Sequence, residues 1–326
     1  MSNNIIFSLI IPCYNASSYI VNCIDSISKQ IFDYNLFEVI FVDDCSSDDT
    51  FKILLDAKEN YKLNIRIYKN DYNKGPGLTR RFAAELATGE YVCFCDSDDW
   101  LDYNAFGELY KQIQDYSSDV IIYGMSYVLN GQSKNQHVTK NFVNGSKESY
   151  IVNCGESLCN MCVKKDLFLK IPTIDIRHGE DLALVPLILF KANVITHVDL
   201  PLYNYFLRSG SVSLGNLKQD AFNEMILAFS HIENNLVVDN SVRNIVEFIG
   251  IKTVLYSSTL MAIKGKNNNK TLMSIVKKFE VRFPEWNNNQ YLNNLRKPKR
   301  IYLKSIYYRM WFLIRIYTWL HAKILN

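Results

Sequence analysis

No aspartate or glutamate follows Glu285 in this 326-residue chain, although eight basic residues do: Arg296, Lys297, Lys299, Arg300, Lys304, Arg309, Arg315 and Lys323. The whole chain has 36 basic and 33 acidic residues. Residues 1–285 therefore hold 28 basic against 33 acidic residues, a net −5, beneath a whole-chain charge of +3. A mildly acidic body with a basic end points to an anionic surface as the tail's partner. Also missing is any uncharged apolar run of 18 residues, which argues against a spanning helix. The N-terminus Met1-Ser2-Asn3-Asn4 has no positive region, and the apolar run behind it is short and broken by Pro12, so no secretory signal is expected. Eight cysteines without such a signal read as reduced thiols in a cytoplasm. Cys154, Cys159 and Cys162 lack the second Cys or His pair that a zinc site would need. No internal repeat is visible. Disorder is excluded by the 48% hydrophobic content with only 21% charge.

The pattern of the first hundred residues is β-α-β-α-β-α-β. Residues 7–12 form an apolar run ending in proline, as a buried parallel strand would. A turn at Asn15 opens a helix with Tyr19, Cys23, Ile24 and Ile27 at helical spacing. Residues 37–42 are a second strand, followed by a polar cluster capping a helix over 50–58. Residues 64–68 alternate as a third strand. A loop at 73–77 precedes a helix over 78–87, and residues 91–95 form a fourth strand. This alternation predicts an α/β fold with an open, mostly parallel sheet covered by helices on both faces. Further strands are expected at 120–125 and 200–206, a strand running into a helix at 159–169, and a helix at 181–191. Helices over 221–234, 241–263 and 272–283 follow, giving two regions, 1–215 and a helical 216–326, with the basic tail at 296–326.

In such sheets ligands sit beyond the carboxyl ends of the strands. Three of the four strands end in Tyr14-Asn15, Asp43-Asp44 and Asp96-Ser97-Asp98-Asp99, so these residues are expected to converge on one crevice. Three carboxylates within four residues raise one another's pKa, and a divalent cation relieves that strain. Mn²⁺ or Mg²⁺ fits, because these ions take one or two carboxylates plus phosphate oxygens. The bland alternatives are a solvated turn at 96–99, a helix cap at Asp43-Asp44 and simple packing of Tyr14. Functionally, Tyr14 offers a platform for a flat base, and a carboxylate at 44 can accept from a base imide or a ribose hydroxyl.

Together, Ser8-Leu-Ile-Ile-Pro12-Cys-Tyr14-Asn15, Val42-Asp43-Asp44-Cys-Ser46-Ser-Asp48, Asn73…Gly75…Arg80, Ala87-Thr-Gly89-Glu-Tyr91 and Asp96-Ser-Asp98-Asp99 resemble the family 2 glycosyltransferases. The resemblance resumes at His178-Gly179-Glu180-Asp181-Leu182, Leu202-Tyr203-Asn-Tyr205, Arg208 and Ser211-Val-Ser213. It implies a GT-A fold and an inverting transfer of a hexosyl or N-acetylhexosaminyl group from a nucleotide-diphosphate sugar, with UDP the family-weighted base. By this resemblance Pro12, Tyr14 and Asp44 hold the base with Arg80 close by. Asp96 contacts ribose, Asp98 and Asp99 hold the metal, and Arg208 clamps the diphosphate. Asp181 is the general base, with Glu180 its rival as base or acceptor binder. The family commonly has Gly where Cys45 stands, Asn at Arg81 and Gly at Ala83, and the adjacent Arg80 and Arg81 could exchange roles. The acceptor expected is a growing surface glycan or a lipid-linked one.

Spacing over 301–325 suggests one helix with a stripe formed by Leu303, Ile306, Tyr307, Met310, Leu313, Ile314, Tyr317, Leu320 and Ile324, and a basic arc beside it. A basic amphipathic helix with tryptophans fits an interfacial anchor on the anionic inner face of the cell membrane. Docking on the body, or a homodimer contact, is the alternative. A nucleic-acid patch is disfavoured by the interleaved aliphatics and the acidic body. Two other functions compete: a non-catalytic module of the same fold that binds a partner transferase, and a sugar nucleotidyltransferase. The latter usually needs a glycine-rich loop after its first strand, where this chain has Cys13-Tyr14-Asn15-Ala16.

Overall fold

The computed structural model describes residues 4–129, 132–136, 145–155, 157–207, 219–236, 239 and 242–325. These divide into two compact units: 1–150, 154–177 and 184–207 in the first, and 151–153, 178–183 and 208–326 in the second.

The first unit is built on a mixed sheet whose strands lie in the order β3-β2-β1-β4-β8-β6-β9-β5, with β7 paired to β6. Strands β1 (Phe7–Cys13), β2 (Phe37–Asp43), β3 (Ile65–Lys69) and β4 (Tyr91–Phe94) are parallel, as the alternation predicts. All but one residue of β1 and all of β2 are buried, which is why they read as unbroken apolar runs. Helix α1 (Ile20–Ser28) turns Ile20, Cys23, Ile24 and Ile27 inward. Helix α2 (Thr50–Asn60) and helix α3 (Pro76–Leu86) complete the crossovers. Pro76 occupies the first turn of α3, where its missing N–H costs nothing, so α3 starts two residues before the apolar spacing suggests.

The remaining strands are β5 (Trp100–Leu101), β6 (Val120–Leu129), β7 (Gln132–Gln136), β8 (Met161–Lys164) and β9 (Ile195–Phe206). Helices α4 (Ala105–Tyr116), α5 (Lys147–Asn153), α6 (Lys165–Leu169) and α7 (Glu180–Lys191) lie between them in sequence. β8 is antiparallel to β4 and β6, whereas β9 is parallel to β6. The ends of β1, β2 and β4 away from the crevice are locked by the buried carboxylate of Glu38. It accepts from Ser8 Oγ at 2.7 Å, Thr88 N–H at 2.6 Å and Arg66 Nη1 at 2.9 Å. Burial alone would raise its pKa, but these donors hold it below the ordinary glutamate value. All eight cysteines are free thiols, seven of them buried.

The second unit contains α8 (Phe222–Asn235), α9 (Arg243–Lys264), α10 (Asn269–Arg282), α11 (Lys297–Tyr307) and α12 (Trp311–Leu325). α9 carries a π-helical stretch over Ile251–Ser258. Among the described residues it is the one helix long and apolar enough to cross a membrane, yet 78% of its apolar window is buried inside the protein, as in a core helix. Phe229, Phe279 and Phe283 pack as a ring cluster, with Phe229 and Phe279 crowding Gly250 of α9.

The single tail helix expected over 301–325 is two helices. The chain breaks at Tyr308-Arg309-Met310, where Arg309 adopts φ 58° and donates to Glu280 at 2.5 Å. The expected apolar stripe is therefore split. Ile306 and Ile314 are buried, but Leu313 and Leu320 are exposed. The outward face of α12 is Phe312, Leu313, Ile316, Trp319 and Leu320, all exposed and within about 120° at 100° per residue. Arg315 lies off that face and donates to the Asn267 carbonyl at 2.8 Å.

Candidate active site

Cys13 stands opposite Asp43 and Ile10 opposite Phe94, so β1, β2 and β4 release their chains on one edge of the sheet. The turns after β1 and β2 are tied together. Asp44 N–H donates to the Cys13 carbonyl at 2.7 Å, Asn15 N–H to Ser46 Oγ at 3.0 Å, and Ser47 N–H to Asn15 Oδ1 at 2.9 Å. Both turns pass through left-handed backbone, φ 49° at Asn15 and φ 63° at Cys45. The glycine that the family favours at position 45 thus has a steric reason, since a side chain in this region costs about 1–2 kcal/mol. Burial, then Cys23, Asp43 and Asp96, push the Cys13 thiol pKa well up, both aspartates being charged neighbours of that buried thiol.

Tyr14 projects from the end of β1 with 53% of its surface exposed, as a stacking platform requires. Pro12, two residues before it, is half-buried. Asp44 is buried with both oxygens engaged. Oδ1 accepts from Asn70 Nδ2 at 2.7 Å and Lys74 N–H at 2.9 Å, and Oδ2 accepts from Gly75 N–H at 2.8 Å. The 73–75 loop is clamped by Arg177, which donates to the Asn73 carbonyl at 2.8 Å and to its side-chain oxygen. Gly75, at φ 84°, leaves room for that guanidinium, because a Cβ there would stand 2.9 Å from Arg177 Nη1.

Arg80 is buried and donates to Asp96 Oδ1 at 2.6 Å. Arg81 turns away and donates to the carbonyls of Leu169 at 2.8 Å and Ile171 at 3.0 Å. The two arginines therefore do not exchange roles: one meets the acidic quartet and the other closes α6.

Within the quartet, Asp96 and Asp98 are partly exposed and Asp99 is buried. Asp99 Oδ2 accepts from the Tyr203 hydroxyl at 2.6 Å and Oδ1 from Phe206 N–H at 2.7 Å. The Tyr203 oxygen also accepts from Asp96 N–H at 3.1 Å. Burial, reinforced by Asp96 and Asp98, pushes the Asp99 carboxyl up to about 8. Burial is the larger cause, and a cation near Asp96 and Asp98 would offset the smaller contribution of their charge. Among the described residues no group of three His, Cys, Asp or Glu side chains forms a metal cage. A Mn²⁺ or Mg²⁺ ion held at Asp98 would draw its other ligands from phosphate oxygens and water. Asp99, expected beside Asp98 as a metal ligand, differs from it in being buried and in accepting from Tyr203 and Phe206 of β9.

Glu180 and Asp181 open α7 in the second unit, directly after Gly179. Gly179 has φ 82°, and a Cβ there would overlap Met225 Cε. His178 N–H donates to Glu224 at 2.7 Å, so the turn before the acids is fixed. Arg208, with Ser211 and Ser213, lies outside the described residues. Asn70, Arg177 and Tyr203 are supporting residues to which sequence reasoning gave no role. Asn70 directly follows β3, the one early strand end without a conspicuous motif.

The profile described as glycosyl transferase family 2 matches residues 8–173, just over half of the chain. The chain belongs to that family, and the fold is of the GT-A type. It is 38% identical over 135 residues to the poly(ribitol-phosphate) beta-N-acetylglucosaminyltransferase TarS of Staphylococcus aureus, covering 41% of this chain and 23% of that protein. It thus spans less than a quarter of that relative's length. It is 26% identical over 259 residues to the processive diacylglycerol beta-glycosyltransferase of Mycoplasma genitalium, covering 74% of each. The crystal structure of S. aureus TarS 1–349 with UDP-GlcNAc superposes with a TM-score of 0.74 at 24% identity, over 98% of this chain and 92% of that one.

Proposed function

We propose that the chain is an inverting glycosyltransferase that moves a hexosyl or N-acetylhexosaminyl group from a UDP-sugar to an acceptor hydroxyl on a surface glycan or its lipid-linked precursor. The observation that carries this reading is the Arg80–Asp96 pair at 2.6 Å beside Asp98, on the sheet edge that also bears Tyr14 and Asp44. Tyr14 stacks the base, with Pro12 beneath it. Asp44, oriented by Gly75 and Lys74 N–H, faces the uracil edge. Asp96 accepts from a ribose hydroxyl while Arg80 holds its carboxylate in place. Asp98 is the protein ligand for Mn²⁺ or Mg²⁺, and Asp99 anchors the turn that presents it. When bound, the ion neutralises the leaving diphosphate. Arg208 adds a guanidinium to that diphosphate.

Asp181 takes the proton from the acceptor hydroxyl as its oxygen attacks C1 from the face opposite the diphosphate. The new C–O bond forms while the C1–O bond breaks, and its electron pair leaves with the diphosphate. Glu180 binds the acceptor beside it. The relatives named above transfer sugars to a poly(ribitol-phosphate) and to diacylglycerol, which supports a surface-polymer or lipid-linked acceptor. The location is the cytoplasm at the inner membrane face, and the outward apolar side of α12 supports the attachment to a membrane surface.

The test is a panel of nucleotide sugars with Mn²⁺, scored by thermal shift and slow donor hydrolysis. UDP-sugars should stabilise and be hydrolysed by the wild type. Asp181→Asn should bind them equally and transfer nothing. Full turnover by Asp181→Asn rejects the base, and no response to any nucleotide sugar rejects the transferase reading, in favour of a non-catalytic module. Formation of a nucleotide sugar from sugar phosphate and UTP would favour the nucleotidyltransferase alternative. For the membrane, flotation of the full chain on phosphatidylglycerol vesicles should be lost in Phe312→Ser with Trp319→Ser. Equal flotation removes that part.

A further inference from the structure

The seven described basic side chains of the tail are not alike. Lys299 sits over the Tyr256 ring at 4.6 Å, Arg309 is paired with Glu280, and Arg315 is bonded to Asn267 and Asn269. Arg296 is also engaged. Lys297, Arg300 and Lys304 instead carry neither an ion pair nor a side-chain hydrogen bond among the described residues, and all three line one groove of about 670 Å³ in the helical unit. Their spacing of three and four residues puts them within about 60° on α11, strung over about 10 Å.

The opposite wall is the 286–293 segment. It presents Gln290 and Asn293, whose amides make no hydrogen bond among the described residues, beside Asn287 and Asn288. Trp286 and Tyr307, edge to face at 5.9 Å, form part of the lining, with Tyr308 nearby. No carboxylate lines the groove. Three exposed cations with no carboxylate in the lining repel one another, so the groove favours an anion. Neutral amides are suited to polyol and sugar hydroxyls, and Leu292, Ile301 and the exposed Tyr307 and Tyr308 to the C–H faces of the same units. The volume is that of a ligand cleft rather than a flat membrane-facing patch.

We infer that this groove is a second binding site, for a chain of sugar or polyol units joined by phosphodiesters. Its row of three cations, rather than a single one, selects a repeating anion over a lone phosphate. The acceptor role of such a chain rests on the transfer reaction proposed above, whereas the groove's affinity does not. Its effect would be to hold a polymer to the enzyme between turnovers, lowering the acceptor KM without touching donor binding.

The experiment uses the full chain and a glycerol phosphate oligomer, with a neutral dextran oligomer of equal length and phosphatidylglycerol vesicles as companions. The glycerol phosphate oligomer should bind, at least tenfold tighter than dextran, and weaken at least tenfold between about 50 and 300 mM salt. Arg300→Gln with Lys304→Gln should weaken binding at least tenfold, while the UDP-sugar thermal shift stays at the wild-type value and reports the fold. No binding of the oligomer, or equal binding by that variant, overturns the inference. Vesicle binding that depends on Arg300 and Lys304, with no oligomer binding, overturns it in favour of lipid headgroups. Oligomer binding without any UDP-sugar response would leave the groove standing and sink the transferase reading alone.

Discussion

The hydroxyl of Tyr203 is one atom on which two aspartates of the acidic turn depend. Tyr203→Phe removes it and leaves the ring in its buried place. Two hydrogen bonds go: the 2.6 Å donation to Asp99 Oδ2 and the 3.1 Å acceptance from Asp96 N–H. A hydrogen bond to a carboxylate contributes about 1.5–3 kcal/mol and a neutral one about 1 kcal/mol. With Asp99 raised to about 8 the carboxyl is largely protonated at neutral pH, so the lower end of the first range applies. The expected loss is about 2–3 kcal/mol in urea unfolding at pH 7. Because Asp96 and Asp99 flank Asp98, the same change should weaken UDP-sugar binding about tenfold in the presence of Mn²⁺, read by calorimetry. Asp99→Asn tests the pairing, since its amide oxygen can still accept from Phe206 N–H and its nitrogen can donate to the tyrosine oxygen. That variant should lose less stability than Tyr203→Phe, and the double variant should fall short of the sum of the two losses. If Tyr203→Phe unfolds within 0.5 kcal/mol of wild type (about the scatter of neutral surface changes) and binds donor normally, the hydroxyl does not organise this turn.

Cys45→Gly should stabilise the fold by about 0.5–1 kcal/mol while Cys45→Ala does not, because left-handed backbone favours glycine even after its chain-entropy cost. Melting of the two variants side by side decides it, and a less stable glycine variant refutes the strain. Gly89→Ala should cost about 3 kcal/mol or more, since the new methyl would stand 2.7 Å from Ser8 N and 2.8 Å from the Phe7 carbonyl carbon. Chelator should stop transfer and added Mn²⁺ or Mg²⁺ should restore it. Undiminished turnover in chelator would remove the role given to Asp98.

Much of the early half is legible because burial on both faces of β1 and β2 forces apolar runs, and their polar ends stand out against that background. The parallel register puts the ends of β1, β2 and β4 on one sheet edge, and Arg80 meets Asp96 there from α3. Supporting residues were harder to see. Asn70, Arg177 and Tyr203 act through hydrogen bonds to partners 26 to 107 residues away, and no local pattern encodes those distances. β9 extends well upstream of the segment that alternates, and its register against β6 slips on both sides of Gly124, so period-two counting catches only its end. In the tail neither glycine nor proline marks the break at Arg309. Arithmetic for a straight helix therefore puts Leu313 and Leu320 on one stripe with Ile306 and Ile314, although the first two are exposed and the last two buried.

The reversed direction of β8 has its own result for the acidic turn. A strand parallel to β4 would leave the sheet beside the acidic turn, but β8 enters there, with Cys162 opposite Cys93. The few residues preceding it, Leu158–Asn160, are thereby buried among β4, β6 and β9, and Cys159 lies close enough to perturb Tyr203 electrostatically. Changes in that inbound segment would therefore reach the acidic turn through Tyr203 while the four parallel strands stay untouched.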